Sequence, residues 1–155
     1  MPKIDIDKAT VRTQGVYPEP WRGITKGREK AALGNVAGLT QFGVNLTRLK
    51  PGAASALRHW HEQEDEFVYV LDGELVLIED DGEVLLKAGD CAGFKAGVAN
   101  GHHLVNKSGR DALYLEVGTR AARECGHYPG IDLIYHKDET GVRFTRVSGE
   151  PYPKD

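Results

Sequence analysis

Apolar and polar residues alternate along much of the chain. Phe42, Val44 and Leu46 interleave with Gln41, Gly43, Asn45 and Thr47, and Leu113, Leu115 and Val117 interleave with Ala112, Tyr114 and Glu116. A period of two sends successive side chains to opposite faces, so both segments read as half-buried β-strands. Candidate strands cover residues 39–49, 55–61, 66–71, 74–79, 83–87, 90–94, 102–106 and 112–118, with a closing pair at 131–136 and 142–147. Between them stand Asp72-Gly73, Asp81-Gly82, Ala88-Gly89, Ser108-Gly109 and Thr140-Gly141. In each, the glycine supplies the positive φ that tight turns demand. Short strands punctuated this way predict an all-β sandwich or barrel. The helical signal is confined to a short turn at residues 28–33, bounded by Gly27 and Gly34, and no helix longer than three turns is expected.

The ends of the chain lack this rhythm. Residues 1–38 hold Pro18, Pro20 and Trp21 with little periodicity, and residues 119–155 carry the late hairpin followed by Pro151-Tyr152-Pro153. They read as N- and C-terminal arms around a core at 39–118, wrapped on their own barrel or on a partner subunit, with a homodimer expected. A length of 155 residues suits one domain. The net charge of −3, spread without blocks of one sign, excludes the clustered Lys and Arg of a nucleic-acid or membrane-surface footprint. No apolar run approaches the ~20 residues that span a bilayer. The opening Met1-Pro2-Lys3-Ile4-Asp5-Ile6-Asp7 has no secretory-type apolar stretch, so a cytoplasmic protein is expected. Cys91 and Cys125 are too few for a disulfide framework, and packing is the role expected of both, with Cys91 buried at the start of a strand.

Chemistry concentrates in the run Gly52 to Gly73. His59 and His61 are two apart on a candidate strand, so both imidazoles project from one face and can reach one ion. Four residues then intervene before Glu66, enough for the chain to turn and return a carboxylate from the next strand. Two imidazoles and a carboxylate suit Mn, Fe, Co, Ni or Zn better than Ca or Mg. Glu62, Glu64 and Asp65, in between, read as a solvated turn, and Trp60 packs on the opposite face. Two further histidines, His102 and His103, follow Gly89 and Gly97; only one can face inward from a strand. His127 and His136 carry no spacing signal.

These residues resemble the two motifs of the cupin superfamily. Gly52, His59, His61, Glu66 and Gly73 match the first, and Gly89, Gly97, His102 and Asn106 the second, whose spacing to Asn106 selects His102 over His103. Lys95 stands where the family usually has proline, and the loop from Gly97 to His102 is two residues longer than usual. The resemblance covers residues 39–118. It implies a double-stranded β-helix, a jelly-roll barrel, holding one divalent transition metal on His59, His61, Glu66 and His102, with Mn or Fe favoured and Ni, Zn or Co admissible. Asn106 is expected to bond neighbouring backbone, and Lys95 to lie on the surface.

Four protein ligands around an ion that prefers six leave two positions for a small-molecule substrate or dioxygen. Cupins include sugar-phosphate isomerases, lyases, dioxygenases and ligand sensors, so fold does not choose the reaction. The expected function is a metalloenzyme acting on a hydroxy-carbonyl or hydroxy-acid, as a sugar-phosphate-type isomerase or, with Fe, as an O2-dependent dioxygenase, with a non-catalytic metal or ligand binding or sensing module as the alternative. Glu116 is the candidate catalytic base if its face of residues 112–118 lines the lumen; if Leu113, Leu115 and Val117 face inward, it is a surface carboxylate.

Overall fold

The structure, a computed structural model, describes residues 3–153. Along the chain come β1 (Val11–Arg12), β2 (Arg28–Ala31), a one-turn helix α1 (Leu33–Val36), β3 (Phe42–Leu49), β4 (Trp60–His61), β5 (Glu66–Asp72) and β6 (Glu74–Glu79). They are followed by β7 (Gly82–Lys87), β8 (Cys91–Phe94), β9 (His103–Val105), β10 (Ala112–Thr119), β11 (Glu124–His127), β12 (Ile134–Asp138) and β13 (Gly141–Thr145). Three sheets result, ordered β1-β2-β3-β10-β5-β8, β13-β12-β11-β4 and β7-β6-β9, and all their strand pairs are antiparallel. None of the described helices is long and apolar enough to cross a membrane.

The main apolar core lies between the first and third sheets. Leu49, Val68, Val70, Leu75, Leu77, Leu86, Leu104 and Tyr114 are buried together. At roughly 1.5–3 kcal/mol for each large apolar side chain removed from water, this cluster is the main source of barrel stability. A second cluster, Tyr17, Leu57, Tyr128 and Leu133, joins the two flanks of the chain over the barrel wall. Tyr17 and Tyr128 meet edge to face at 5.7 Å, and the Tyr17 hydroxyl accepts from the Leu57 N–H at 3.3 Å.

The flanks correct the sequence reading at several points. Residues 28–31 form β2 instead of a helical turn, because the open edge of β3 offers them a ladder from Arg28↔Leu49 to Ala31↔Leu46. Within residues 55–61 only Trp60–His61 is regular strand, preceded by single bridges at Ala54↔Val105 and His59↔His102. Glu124–His127 is a strand that shows no periodicity in the sequence, recruited by pairing with β4 on one side and β12 on the other. The late hairpin is β12–β13, starting three residues later than expected at its first strand.

One glycine turn and one amide tie the motifs together. Gly73 has φ +77°, and a Cβ there would stand 2.8 Å from the Asp111 carbonyl oxygen, so both conformation and space require glycine. Asn106, fully buried, donates from Nδ2 to the carbonyls of Leu49 and Arg110, both at 2.8 Å, while its Oδ1 accepts from the Ser108 N–H and hydroxyl. This is the backbone-bonding role read from the motif. Cys91, in contrast, is exposed: β5 and β8 turn Val68, Val70, Ala92 and Phe94 inward, which sends the intervening Phe67, Tyr69 and Cys91 to the outer face.

Candidate metal centre

The local backbone explains why three histidines converge. His59 and His102 exchange N–H···O bonds at 3.1 and 2.9 Å across an antiparallel bridge, which sets their rings side by side at 5.0 Å. His61, two residues on, keeps the same face and meets His59 edge to face at 4.9 Å. Glu66 opens β5 opposite Phe94, whose ring lies flat against His102 at 3.6 Å. Glu66 Oε2 is the hub. It accepts from His102 Nε2–H at 2.7 Å and lies 3.5 Å from His59 Nε2 and 3.6 Å from His61 Nε2. The ligating atoms of His59, His61 and Glu66 lie within 4.8 Å of one another, and His102 joins them through the shared oxygen.

Electrostatics prepare these groups as ligands. Burial pushes the Glu66 carboxyl up, yet the hydrogen bonds of His102 and His59 and the charges nearby outweigh it and hold it well below the usual carboxylate range. Glu66 is therefore ionised. Burial likewise lowers His59, but the bond and charge of Glu66 win and raise it above its ordinary value. For His61 burial prevails, and the imidazole stays lowered. His59 Nδ1–H donates to the Leu57 carbonyl at 2.7 Å, which orients Nε2 toward the cluster. An imidazole–carboxylate set of this kind fits a divalent transition ion, the donor chemistry being borderline and not that of an all-oxygen cage. His103 sits on the opposite parity, its Nδ1–H bound to the Ala56 carbonyl at 2.8 Å.

The cluster opens onto a cavity of about 270 Å³ also lined by Tyr17, Arg28, Lys30, Tyr114, Glu116 and Tyr128. Glu116 thus lies on the lumen side, with Asn45, Thr47 and Tyr114 of the same face, while Leu113, Leu115 and Val117 turn away. The rule that apolar residues point inward fails at Glu116 because the cavity it lines also holds Lys30, which pairs with its carboxylate. Glu116 Oε1 accepts from Lys30 Nζ at 2.6 Å and from Asn45 Nδ2 at 3.2 Å, so Oε2 is the oxygen available to a ligand. An adjoining hollow of about 220 Å³ shares His61, Glu66 and His102 and adds Trp60, Lys95 and Asn100. Lys95 itself is exposed at that mouth.

Several wall residues carry no motif and escape sequence reasoning. Glu124, 4% exposed, receives the N–H groups of Glu62 and Gln63 at 2.8 and 3.0 Å and lies 3.6 Å from His61 Nδ1. Glu64 is drawn out of solvent by Lys137 of β12 and by the Ala121 N–H at 3.0 Å, so it belongs to the wall and not to a solvated turn. Arg28 donates to the Ser55 carbonyl at 2.5 Å, and its buried Nε has no protein partner. The signal available beforehand was faint: Arg28 and Lys30, or Glu124 and Gly126, are merely two apart.

Comparison with known proteins agrees with this architecture. Residues 45–118 match the cupin domain family. A sugar phosphate isomerase from a cupin superfamily of Silicibacter pomeroyi DSS-3 is 46% identical over 99% of this chain and 98% of its own, with a TM-score of 0.94. The chain belongs to the cupin superfamily. A sugar phosphate isomerase candidate of Acidithiobacillus ferrooxidans ATCC 23270 is 25% identical over 83% of this chain and 81% of its own, with a TM-score of 0.74. A polyketide cyclase of Streptomyces resistomycificus, 20% identical over 77% of this chain and 79% of its own at a TM-score of 0.61, shares the fold alone. Among curated proteins none matches.

Proposed function

We propose that this cupin is a metal-dependent isomerase of a hydroxy-carbonyl sugar bearing an anionic group, with phosphate the foremost candidate. The observation that carries the reading is the position of Glu116, a carboxylate with one free oxygen, in the same cavity as the His59, His61, Glu66 and His102 cluster. Full-length similarity to a protein named as a sugar phosphate isomerase supports it.

His59, His61, Glu66 and His102 would hold the ion, which when bound supplies a Lewis acid that polarises a substrate carbonyl. Glu116 removes the proton from the carbon beside that carbonyl and returns it to the former carbonyl carbon, while the hydroxyl proton passes to the former carbonyl oxygen, which together interconvert aldose and ketose. Lys30 and Asn45 fix the carboxylate through Oε1, which directs Oε2 at the substrate. Arg28, with Nε unpartnered and no carboxylate in ion-pair reach among the described residues, receives the anionic group. Tyr17, Tyr114 and Tyr128 close the chamber, and burial raises all three hydroxyls above their usual range, so they remain protonated donors. A homodimer through the outer face of β5, where Phe67, Tyr69 and Leu71 are 41%, 39% and 42% exposed, completes the reading. Light scattering checks that point, a monomer removing it.

The test of activity is made in D2O with the metal-loaded protein and a panel of aldose and ketose phosphates followed by NMR. Interconversion with deuterium entering beside the carbonyl is expected. In Glu116→Gln the rate should fall by roughly 10²–10⁴ with metal content unchanged. Absence of interconversion and of exchange with Mn, Fe, Co, Ni and Zn in turn would overturn the isomerase reading.

A further inference from the structure

The short strand that aims His59 and His61 into the barrel turns Trp60 and Glu62 the other way. Its neighbour β11 alternates in step. Glu124 lies 3.6 Å from His61 Nδ1, and a Cβ on Gly126 would lie 3.7 Å from the same atom, so these two face the lumen cluster and Cys125 and His127 face outward. On that outer face His127 Nε2–H donates to Glu62 Oε1 at 2.7 Å. The ligating atoms of Glu62, Cys125 and His127 all lie within 4.8 Å of one another. Trp60, directly opposite His127 in the ladder, stacks on its ring at 4.2 Å with a 15° tilt, which limits the ring to small rotations.

We propose that Glu62, Cys125 and His127 form a second metal site, on the outside of the barrel wall, that binds Zn²⁺ independently of the lumen cluster. Thiolate, imidazole and carboxylate are each zinc ligands, at ~2.3, ~2.0–2.1 and ~2.0–2.2 Å. A tetrahedral ion on such bonds holds its ligand atoms roughly 3.3–3.8 Å apart. The three side chains hold their ligand atoms within 4.8 Å of one another, about 1 Å beyond that spacing at most, and small side-chain rotations supply the rest. His136 shares the outer face through its pairing with Cys125, but its Nε2 is engaged at 3.0 Å by the Thr145 hydroxyl, which leaves water as the fourth ligand.

Binding displaces one proton. Burial, then the charges of Glu62 and Glu124, push the Cys125 thiol up to about 11, so at neutral pH it is a thiol and a poor nucleophile. The ion replaces the thiol proton, which leaves to solvent, and takes His127 through Nε2 with the ring proton on Nδ1. Cys91 on β8 belongs to no such group among the described residues and serves as an internal control. The chemical role is a staple: Glu62 follows β4 and the other ligands lie on β11, so the ion fastens the C-terminal extension to the strand that carries His59 and His61.

Cobalt titration of the full-length His59→Ala/His61→Ala chain tests the proposal, because the lumen cluster is then disabled. A near-ultraviolet sulfur-to-cobalt charge-transfer band should saturate at one equivalent, bleach on addition of Zn²⁺, and vanish when Cys125→Ser is added. No band, or a band that survives Cys125→Ser, overturns the site. A second measurement covers failure of that variant to fold. In the otherwise native chain, Zn²⁺ should slow N-ethylmaleimide labelling of Cys125 by about tenfold and leave Cys91 unaffected, and His127→Gln should remove the protection. Equal labelling of Cys125 with and without Zn²⁺, or protection that persists in His127→Gln, overturns the proposal.

Discussion

Residues 42–119 bring His59, His61, Glu66, His102 and Glu116 to the cavity on strands whose alternation and turn glycines can be read directly, whereas the flanks bring Arg28, Lys30, Glu124 and Tyr128 on segments with little pattern. The difference lies in what makes each strand a strand. β5, β6 and β10 bury one face in the main core and would be recognised in isolation. β2 and β11 exist because β3 and β4 offer them an edge. The middle of the chain therefore assembles the histidine–carboxylate cluster, and the flanks set the walls and the orientation around it.

Variants on each side of this divide should separate ligation from support. The largest effect is expected for His61→Ala in a Cys125→Ser background, where the outer site is disabled: metal should fall from about one ion per chain to near none by elemental analysis while circular dichroism stays β-like; full metal content would remove His61 from the ligand set. Next comes Glu124→Gln in the flank. It keeps the shape but weakens the acceptor that receives the Glu62 and Gln63 N–H groups, and a 10–100-fold loss of metal affinity by competitive chelator titration is expected.

Acid provides a finer probe of the middle. Because the Glu66 bond and charge hold His59 above its ordinary value, the ion must displace a proton from it once pH falls below that raised value. Metal affinity should then weaken by up to about tenfold per pH unit on acidification and level off above it; affinity flat from pH 8 to 5 would contradict the assignment. The smallest effect is expected for Arg28→Met. KM for a sugar phosphate should rise by about tenfold with kcat little changed, and an equal fall in kcat would instead give Arg28 a role in the chemistry.

Most of the barrel and the four clustered side chains were legible in the sequence because each leaves a local trace. His59 and His61 are two apart, Glu66 follows a turn, and Gly73 sits where only glycine fits. What escaped depends on distant partners. Nothing near Glu124 announces that it will receive backbone from residues 62 and 63, and Glu64 looks like one more charge in a solvated run until Lys137 is folded over it. The orientation of β10 was open for another reason. Its more apolar face points away from the lumen, since Glu116 on the inner face is held there by Lys30 and Asn45. Cys91 was misjudged by the same kind of error, the small side chain falling on the outer parity of β8.

Asn106 shows how closely a binding scaffold can discriminate between near isosteres. An amide and a carboxylic acid differ by one atom and almost no volume, so packing alone would accept either. The bonds would not. Both Nδ2 hydrogens go to carbonyl oxygens and Oδ1 takes two donors, which uses the amide's whole capacity. An ionised aspartate would set oxygen against oxygen at the Leu49 and Arg110 carbonyls, the first of them in a buried bond. Chemical ageing of this one side chain by deamidation would therefore undo the junction between Leu49 and the turn at residues 106–110 without altering its shape.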